Sequence, residues 1–275
     1  MFVTRFAPSP TGRLHCGHAF SALTACQAAR AAGGWFLLRI EDIDVTRCRP
    51  EFEAAIFEDL AWLGMTWETP VRRQSEHLDD YDAALARLQA EGLLYRCFRT
   101  RSETVNEFAA APHGPLHAFR GAPLVPDEEA RRLAAGESYA WRLSLDAAKA
   151  RLGGFEGLTL DVAGQGVIPA WPEVGGDIVL ARKDVRVAYH LASVIDDALQ
   201  GVTHVIRGED LAEAAHVHRL LQALLGLPTP IYSHHRLILG PDGKRLAKRD
   251  LAETLQALRE RGATAAELRS EFGFG

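Results

Sequence analysis

Between Phe2 and Ala32 the chain passes through three kinds of sequence in a fixed order. Phe2 to Ala7 is a short run suited to a β-strand, Pro8-Ser9-Pro10-Thr11-Gly12 is a turn, and Gly17 to Ala32 is alanine-rich and suits a helix. Strand, turn and helix make the first half of a βαβ unit, and the sequence that follows repeats the rhythm. Trp35 to Ile40 reads as a second buried strand, and Pro50 to Leu63 and Ser75 to Gly92 have helical spacing. Glu51 and Glu53 fall where a first helical turn favours negative charge. Strands alternating with helices predict an α/β protein with a parallel sheet.

The pattern changes at Cys97. From there to about Pro126, His, Pro and Gly become frequent and periodicity fades, as in an insertion or long loop. Tyr139–Leu143 and Leu158–Val162 then read as strands of a small mixed subdomain. The α/β rhythm returns with a helix over Tyr189–Leu199, a strand over Thr203–Arg207, a helix over Ala212–Leu225 and a strand over Ile231–Leu239. Helical pieces follow from Leu251. The division expected is a discontinuous α/β domain over 1–95 and 186–240, an insertion subdomain over 96–185, and a basic loop with C-terminal helices over 241–275.

Composition narrows the setting. With 275 residues, 47% apolar and 24% charged, the chain can bury a core without disulfides, and disordered or fibrous classes are excluded. No apolar run is long enough to span a bilayer, and the N-terminus lacks a secretory layout. Cys16, Cys26, Cys48 and Cys97 are widely spaced with no CxxC pair, which suits reduced thiols and a cytoplasmic, membrane-free protein. A net charge of −5 offers no bulk attraction for nucleic acid. An RNA partner would need a local patch, for which Arg47 and Arg49, Arg72 and Arg73, Arg96 to Arg101, and Arg131 and Arg132 are the candidates.

Two distant clusters carry chemistry. His15 and His18, at i, i+3 spacing around Gly17, fall in the first turn of the helix that follows the opening strand. Free amides and the helix dipole attract phosphate there, Gly17 admits a ligand close to the backbone, and the imidazoles add donors. The same pair could simply cap the helix, or be half of a metal site. Near the other end, Gly243-Lys244-Arg245-Leu246-Ala247-Lys248-Arg249-Asp250 is a glycine-led, cation-rich loop able to neutralise a triphosphate. Asp196-Asp197 sits in a helical stretch and reads as surface charge or a helix-end contact rather than a metal site.

Together the HxGH segment and the basic loop resemble the two signatures of class I aminoacyl-tRNA synthetases. Thr4 to Gly12, Arg39-Ile40-Glu41-Asp42-Ile43-Asp44 and Arg207-Gly208-Glu209-Asp210-Leu211 narrow the resemblance to the glutamyl-tRNA synthetase family. Only a short tail follows the basic loop where full-length members carry an anticodon-binding region, so the chain is most similar to truncated members that glutamylate the queuosine base of tRNA(Asp). The resemblance implies a Rossmann-like catalytic domain with a small mixed α/β insertion and short C-terminal helices. It also implies an ATP-dependent ligase working with Mg²⁺, with L-glutamate, ATP and the anticodon stem-loop of tRNA(Asp) as substrates, acting as a monomer.

By the same resemblance Arg5 and Arg207 would hold glutamate's side-chain carboxylate, Glu41 its α-ammonium, Tyr189 would add a hydroxyl, and Ala7 and Ser9 would line the pocket. His15, Gly17 and His18 would hold the ATP phosphates, His15 and His18 being catalytic, and Lys248 would neutralise the leaving pyrophosphate. Arg245 and Ala247 replace the lysine and serine usual in that loop. Truncated members often hold zinc in the insertion through Cys-x-Cys and later ligands. Here Cys97-Phe98-Arg99 keeps one thiol, and Pro112 and Pro115 disrupt any His113–His117 pair, so no metal is expected. Two other readings stay open: a catalytic fragment charging a tRNA 3′ end, and a non-catalytic RNA-binding protein that kept the fold.

Overall fold

The computed structural model describes residues 1–100, 119–182, 186–238 and 253–274. Along the chain the elements are β1 (Val3–Phe6), α1 (Cys16–Ala31), β2 (Trp35–Ile40), α2 (Pro50–Trp62), β3 (Glu68–Arg73), α3 (Leu78–Ala90) and β4 (Leu94–Cys97). After residues outside the description come α4 (Pro126–Ala134), β5 (Ala140–Leu143), α5 (Leu145–Leu152), β6 (Thr159–Val162), β7 (Gly166–Pro169) and β8 (Val179–Arg182). The last group is α6 (Tyr189–Leu199), β9 (His204–Gly208), α7 (Ala212–Leu225), β10 (Ile231–His235), α8 (Leu255–Glu260) and α9 (Ala265–Glu271). Two compact units result, one of residues 1–76, 201–209 and 232–275, the other of residues 77–200 and 210–231. These cuts fall at other places than the composition changes used above.

The first unit is the expected parallel α/β frame. β1 pairs with β2 in parallel, Val3 opposite Trp35 and Phe6 opposite Leu38, and β2 pairs in parallel with β3. β9 starts beside β1, where the Thr203 N–H donates to the Val3 carbonyl at 2.9 Å. Flanked on both sides, β1 is buried along its whole length, Arg5 included. α1 turns alanines and Leu23 to the sheet, and small side chains let its backbone lie close. Its exit into β2 is tighter still. A Cβ on Gly34 would meet the Phe2 carbonyl at 2.2 Å, so only glycine fits there. α8 and α9 join the same core through Leu255 and Leu268.

The second unit is mixed, as expected of the insertion, with an antiparallel sheet in the order β4-β5-β8 and a β6–β7 hairpin. Asp177, 2% exposed, organises it. One carboxylate accepts from the Tyr95 hydroxyl at 2.9 Å, the Gly121 N–H at 2.8 Å and the Leu145 N–H at 2.9 Å. Burial and this carboxylate push the Tyr95 phenol well above its ordinary range. Asp196 and Asp197 correct the sequence reading: both are buried, and Asp196 accepts from Tyr81 at 2.9 Å, so neither is surface charge. α4 was not expected, although Pro126 at its start, acids in its first turn and arginines in its last are ordinary helix signals. No described helix is long and apolar enough to cross a membrane.

One buried charge in the first unit gives a test. Asp59 of α2 is fully buried, and neither carboxylate oxygen has a hydrogen bond. Burial pushes its pKa up to about 6, against the pull of Arg259, 3.6 Å away on α8, and of Arg13. The native state therefore holds this proton more tightly than the unfolded chain, whose carboxyl has the ordinary value near 3.8. Its contribution to stability is present at low pH and is lost as pH rises through about 6. Asp59→Asn should raise the melting temperature relative to wild type more at pH 7.5 than at pH 5. A difference that does not change between those pH values would contradict the assignment.

Candidate active site

The segment from Arg5 to His18 leaves β1 and enters α1, and most of the expected site residues of the first unit gather around that passage. Arg5 lies in β1 near its carboxyl end, and Ala7 is half-buried just beyond it. Ser9 is exposed in the turn. The turn is pinned to the end of β2, where the Glu41 N–H donates to the Pro8 carbonyl at 3.0 Å, and to the start of α2, where the Arg49 N–H donates to the Pro10 carbonyl at 3.0 Å. Ends of neighbouring parallel strands are where open α/β sheets bind ligands.

His15 and His18 form a reciprocal cap. His15 is the N-cap of α1, and its Nδ1 accepts from the Gly17 N–H at 3.1 Å. The Nδ1 of His18 accepts from the His15 N–H at 3.2 Å, and the rings lie 3.8 Å apart. Capping and catalysis are not exclusive alternatives here. Because both Nδ1 atoms accept, each neutral ring carries its proton on Nε2, so each is a donor at that atom. Gly17 is fitted to the arrangement: an added Cβ would press on His15 at 3.0 Å.

The chain that follows the basic loop returns to the same place. Thr254 bridges to His15, and the Leu255 N–H donates to the Leu14 carbonyl at 2.9 Å. Lys248, with Arg245 and Ala247, lies outside the described residues.

Buried charge surrounds the strand ends. Glu41 is 7% exposed and faces the fully buried Arg39, Nη2 to Oε1 at 3.3 Å. Arg207, at the end of β9, is buried with its guanidinium over the Tyr232 ring at 5.3 Å, and its Nε donates to His234 Nε2 at 3.5 Å. Among Arg5, Arg39, Arg207 and Glu41 positive charge outweighs negative, an environment suited to an anionic ligand. Tyr232 and His234, and the pairing of Arg39 with Glu41, were missed in the sequence reading. The i, i+2 spacing of Tyr232 and His234 in a strand was the available signal, since it puts both on the face turned to Arg207. Asp42 and Asp44 are occupied with structure, Asp42 accepting from Ser75 and Asp44 from Thr46 and Arg47.

Tyr189 belongs to the second unit, as the first residue of α6. Its ring lies against His190 and His218 at 5.3 and 5.7 Å, and those histidines share a contact of 3.2 Å between Nδ1 and Nε2. His218 is buried, so this shared proton fixes the rings that flank the tyrosine. Cys97 is a buried free thiol, and His113 and His117 lie outside the described residues. Among the described residues no group of three or more His, Cys, Asp or Glu is placed to hold a metal.

The pattern of the tRNA synthetases class I (E and Q), catalytic domain, matches residues 1–271. The chain belongs to that family. It is 48% identical to the glutamyl-Q tRNA(Asp) synthetase of Rhodobacter capsulatus, over 98% of this chain and 99% of the relative. The glutamyl-Q tRNA(Asp) synthetase of Symbiobacterium thermophilum is 43% identical over 96% of this chain and 83% of its own. The solved glutamate-tRNA synthetase of Elizabethkingia anophelis superposes with a TM-score of 0.77 at 29% identity, covering 96% of this chain and 59% of that one. The α/β frame described above is thus the Rossmann-like catalytic domain of class I synthetases.

Whether the histidines do more than cap can be tested. His18→Ala removes a cap acceptor, worth about 1 kcal/mol, and the ring expected to donate to developing phosphate charge, a donor worth on the order of 100-fold in rate where it acts. Adenylate formation should collapse while the melting temperature falls only slightly. His18→Gln, whose amide oxygen can take over the cap, should recover the stability and not the full rate. Equal recovery of both would mean that His18 only caps.

Proposed function

We propose that the chain activates L-glutamate with ATP and transfers the glutamyl group to the queuosine base in the anticodon of tRNA(Asp). The observation that carries this reading is the 48% identity to a glutamyl-Q tRNA(Asp) synthetase along 99% of that protein's length, joined to a strand-end site of matching chemistry.

In the first step a glutamate α-carboxylate oxygen attacks the α-phosphorus of ATP. The bond to the bridging oxygen breaks, and pyrophosphate leaves. Arg5 and Arg207 hold the side-chain carboxylate with guanidinium forks, Glu41 receives the α-ammonium, Tyr189 adds its hydroxyl, and Ala7 and Ser9 line the pocket. His15 and His18 donate from Nε2 to phosphate oxygens, beside the positive end of the α1 dipole and the close approach at Gly17. Lys248 neutralises the pyrophosphate. No enzyme nucleophile is required, since positioning and charge stabilisation suffice. In the second step a hydroxyl of the queuosine ring attacks the adenylate carbonyl, forming an ester and releasing AMP.

Mg²⁺ prefers phosphate oxygens and water to an all-protein cage, so it arrives with ATP and neutralises phosphate charge there. No zinc is assigned. We place the protein in the cytoplasm, acting as a monomer, with the anticodon stem-loop presented as an acceptor stem would be.

The test is glutamate-dependent exchange of pyrophosphate into ATP without tRNA, followed by labelled glutamate transfer to tRNA(Asp) with and without queuosine. Exchange, with labelling only of the queuosine-bearing tRNA, is expected, and Lys248→Ala should slow the exchange. Labelling of a tRNA(Glu) 3′ end would favour the catalytic-fragment reading. No exchange with any amino acid would favour the RNA-binding one.

A further inference from the structure

The second unit carries an exposed tryptophan that the chemistry above does not use. Trp171 is 62% exposed, yet it is firmly based. Its backbone N–H donates to His216 Nδ1 at 3.2 Å, and the indole lies nearly parallel to that imidazole, at 19° with centroids 6.1 Å apart. The residues after it, Pro172–Gly175, form a 3-10 turn whose ends are buried. A Cβ on Gly175 would come within 2.5 Å of Val217 on α7, so the turn is pressed against that helix. On the other side the Ala170 N–H donates to the Leu158 carbonyl at 2.8 Å, and Arg219 Nε donates to the Thr159 carbonyl at 2.9 Å. Burial holds the pKa of His216 below its ordinary value, with Glu213 opposing in part, so the ring behind the indole is neutral at pH 7.

A rigid, exposed aromatic face needs little further ordering to bind a flat partner. Unpaired bases at RNA loops and ends stack on such faces regardless of identity, because every base has a π-surface. Charge does not explain the position, since Glu173 and Glu213 are close by in sequence and exposed. Arg96, Arg131 and Arg132, candidates for a basic patch in this unit, are already ion-paired with Glu129, Glu128 and Glu137.

We infer that Trp171, backed by His216, is a stacking platform for an unpaired base of the tRNA substrate. The inference rests on the functional reading above only in taking a tRNA as the ligand. The experiment compares wild type, Trp171→Ala and Trp171→Phe in three measurements: glutamate-dependent pyrophosphate exchange without tRNA, the KM for queuosine-bearing tRNA(Asp) in glutamyl transfer, and the Kd for the same tRNA across a salt series. The alanine variant should keep the exchange rate and raise KM and Kd about tenfold, and the phenylalanine variant should recover much of the loss. The ratio of variant to wild-type Kd should hold steady as salt rises, because stacking releases no counterions. An unchanged Kd in Trp171→Ala, or exchange that falls in step with transfer, overturns the inference. If wild type binds this tRNA and transfers nothing to it, the functional proposal fails, and the Kd comparison still decides the platform.

Discussion

The candidate site of the first unit is organised around the capped N-terminus of α1. A helix start left to itself offers amides to water, and one capped by a short side chain spends them internally. The reciprocal His15–His18 cap satisfies the backbone through Nδ1 of each ring and leaves Nε2–H as the protonated position of both. The hydrogen bond from Leu255 to Leu14 fastens the chain after the basic loop to the same turn. These few bonds hold the turn and both imidazole rings in place.

Buried charge follows from the same demand. Arg39 and Glu41 pair in a strand end where water is excluded, which is a poor way to gain stability, because desolvating two ions costs about as much as their attraction returns. The arrangement makes better sense as positioning. A carboxylate already held by one guanidinium cannot swing freely, so Glu41 is kept in a set orientation. Arg207 is restrained in another way, by the Tyr232 face and by His234. Asp177 in the second unit shows the contrasting case, a buried carboxylate whose hydrogen bonds are spent on fold alone.

Much of the frame could be read from the sequence because hydrophobic period and turn chemistry agree there. Trp35–Ile40, Tyr189–Leu199 and Ala212–Leu225 have the same limits in the structure as in the sequence reading. β3 escaped notice because Glu68-Thr69-Pro70-Val71-Arg72-Arg73 is polar and contains proline, as befits a strand at the end of the three-stranded sheet. α4 escaped because it buries no residue and, with only Ala130, Leu133 and Ala134 apolar beyond its proline, is too short and too charged to show a core-facing stripe. Asp196 looked like surface charge since the group that satisfies it, Tyr81, is 115 residues away in sequence. The identities of the site residues came from ordered motifs, whereas Tyr232 and His234, and the pairing of Arg39 with Glu41, came only from the fold.

The histidine cap also bears on how the signature should be weighed. Asn, Asp and Ser cap helices better than most residues, and a sequence shaped for stability alone would place one of them at position 15. Histidine there does the backbone's work with Nδ1 and carries its proton on Nε2. A cap of Asn or Ser would satisfy Gly17 equally and offer no second nitrogen on a rigid ring. The cost falls on the helix start, and the return is a pair of imidazoles whose tautomer is set by the fold itself. That coupling of cap to donor is a physical reason for the spacing of His15, Gly17 and His18, independent of any likeness to other proteins.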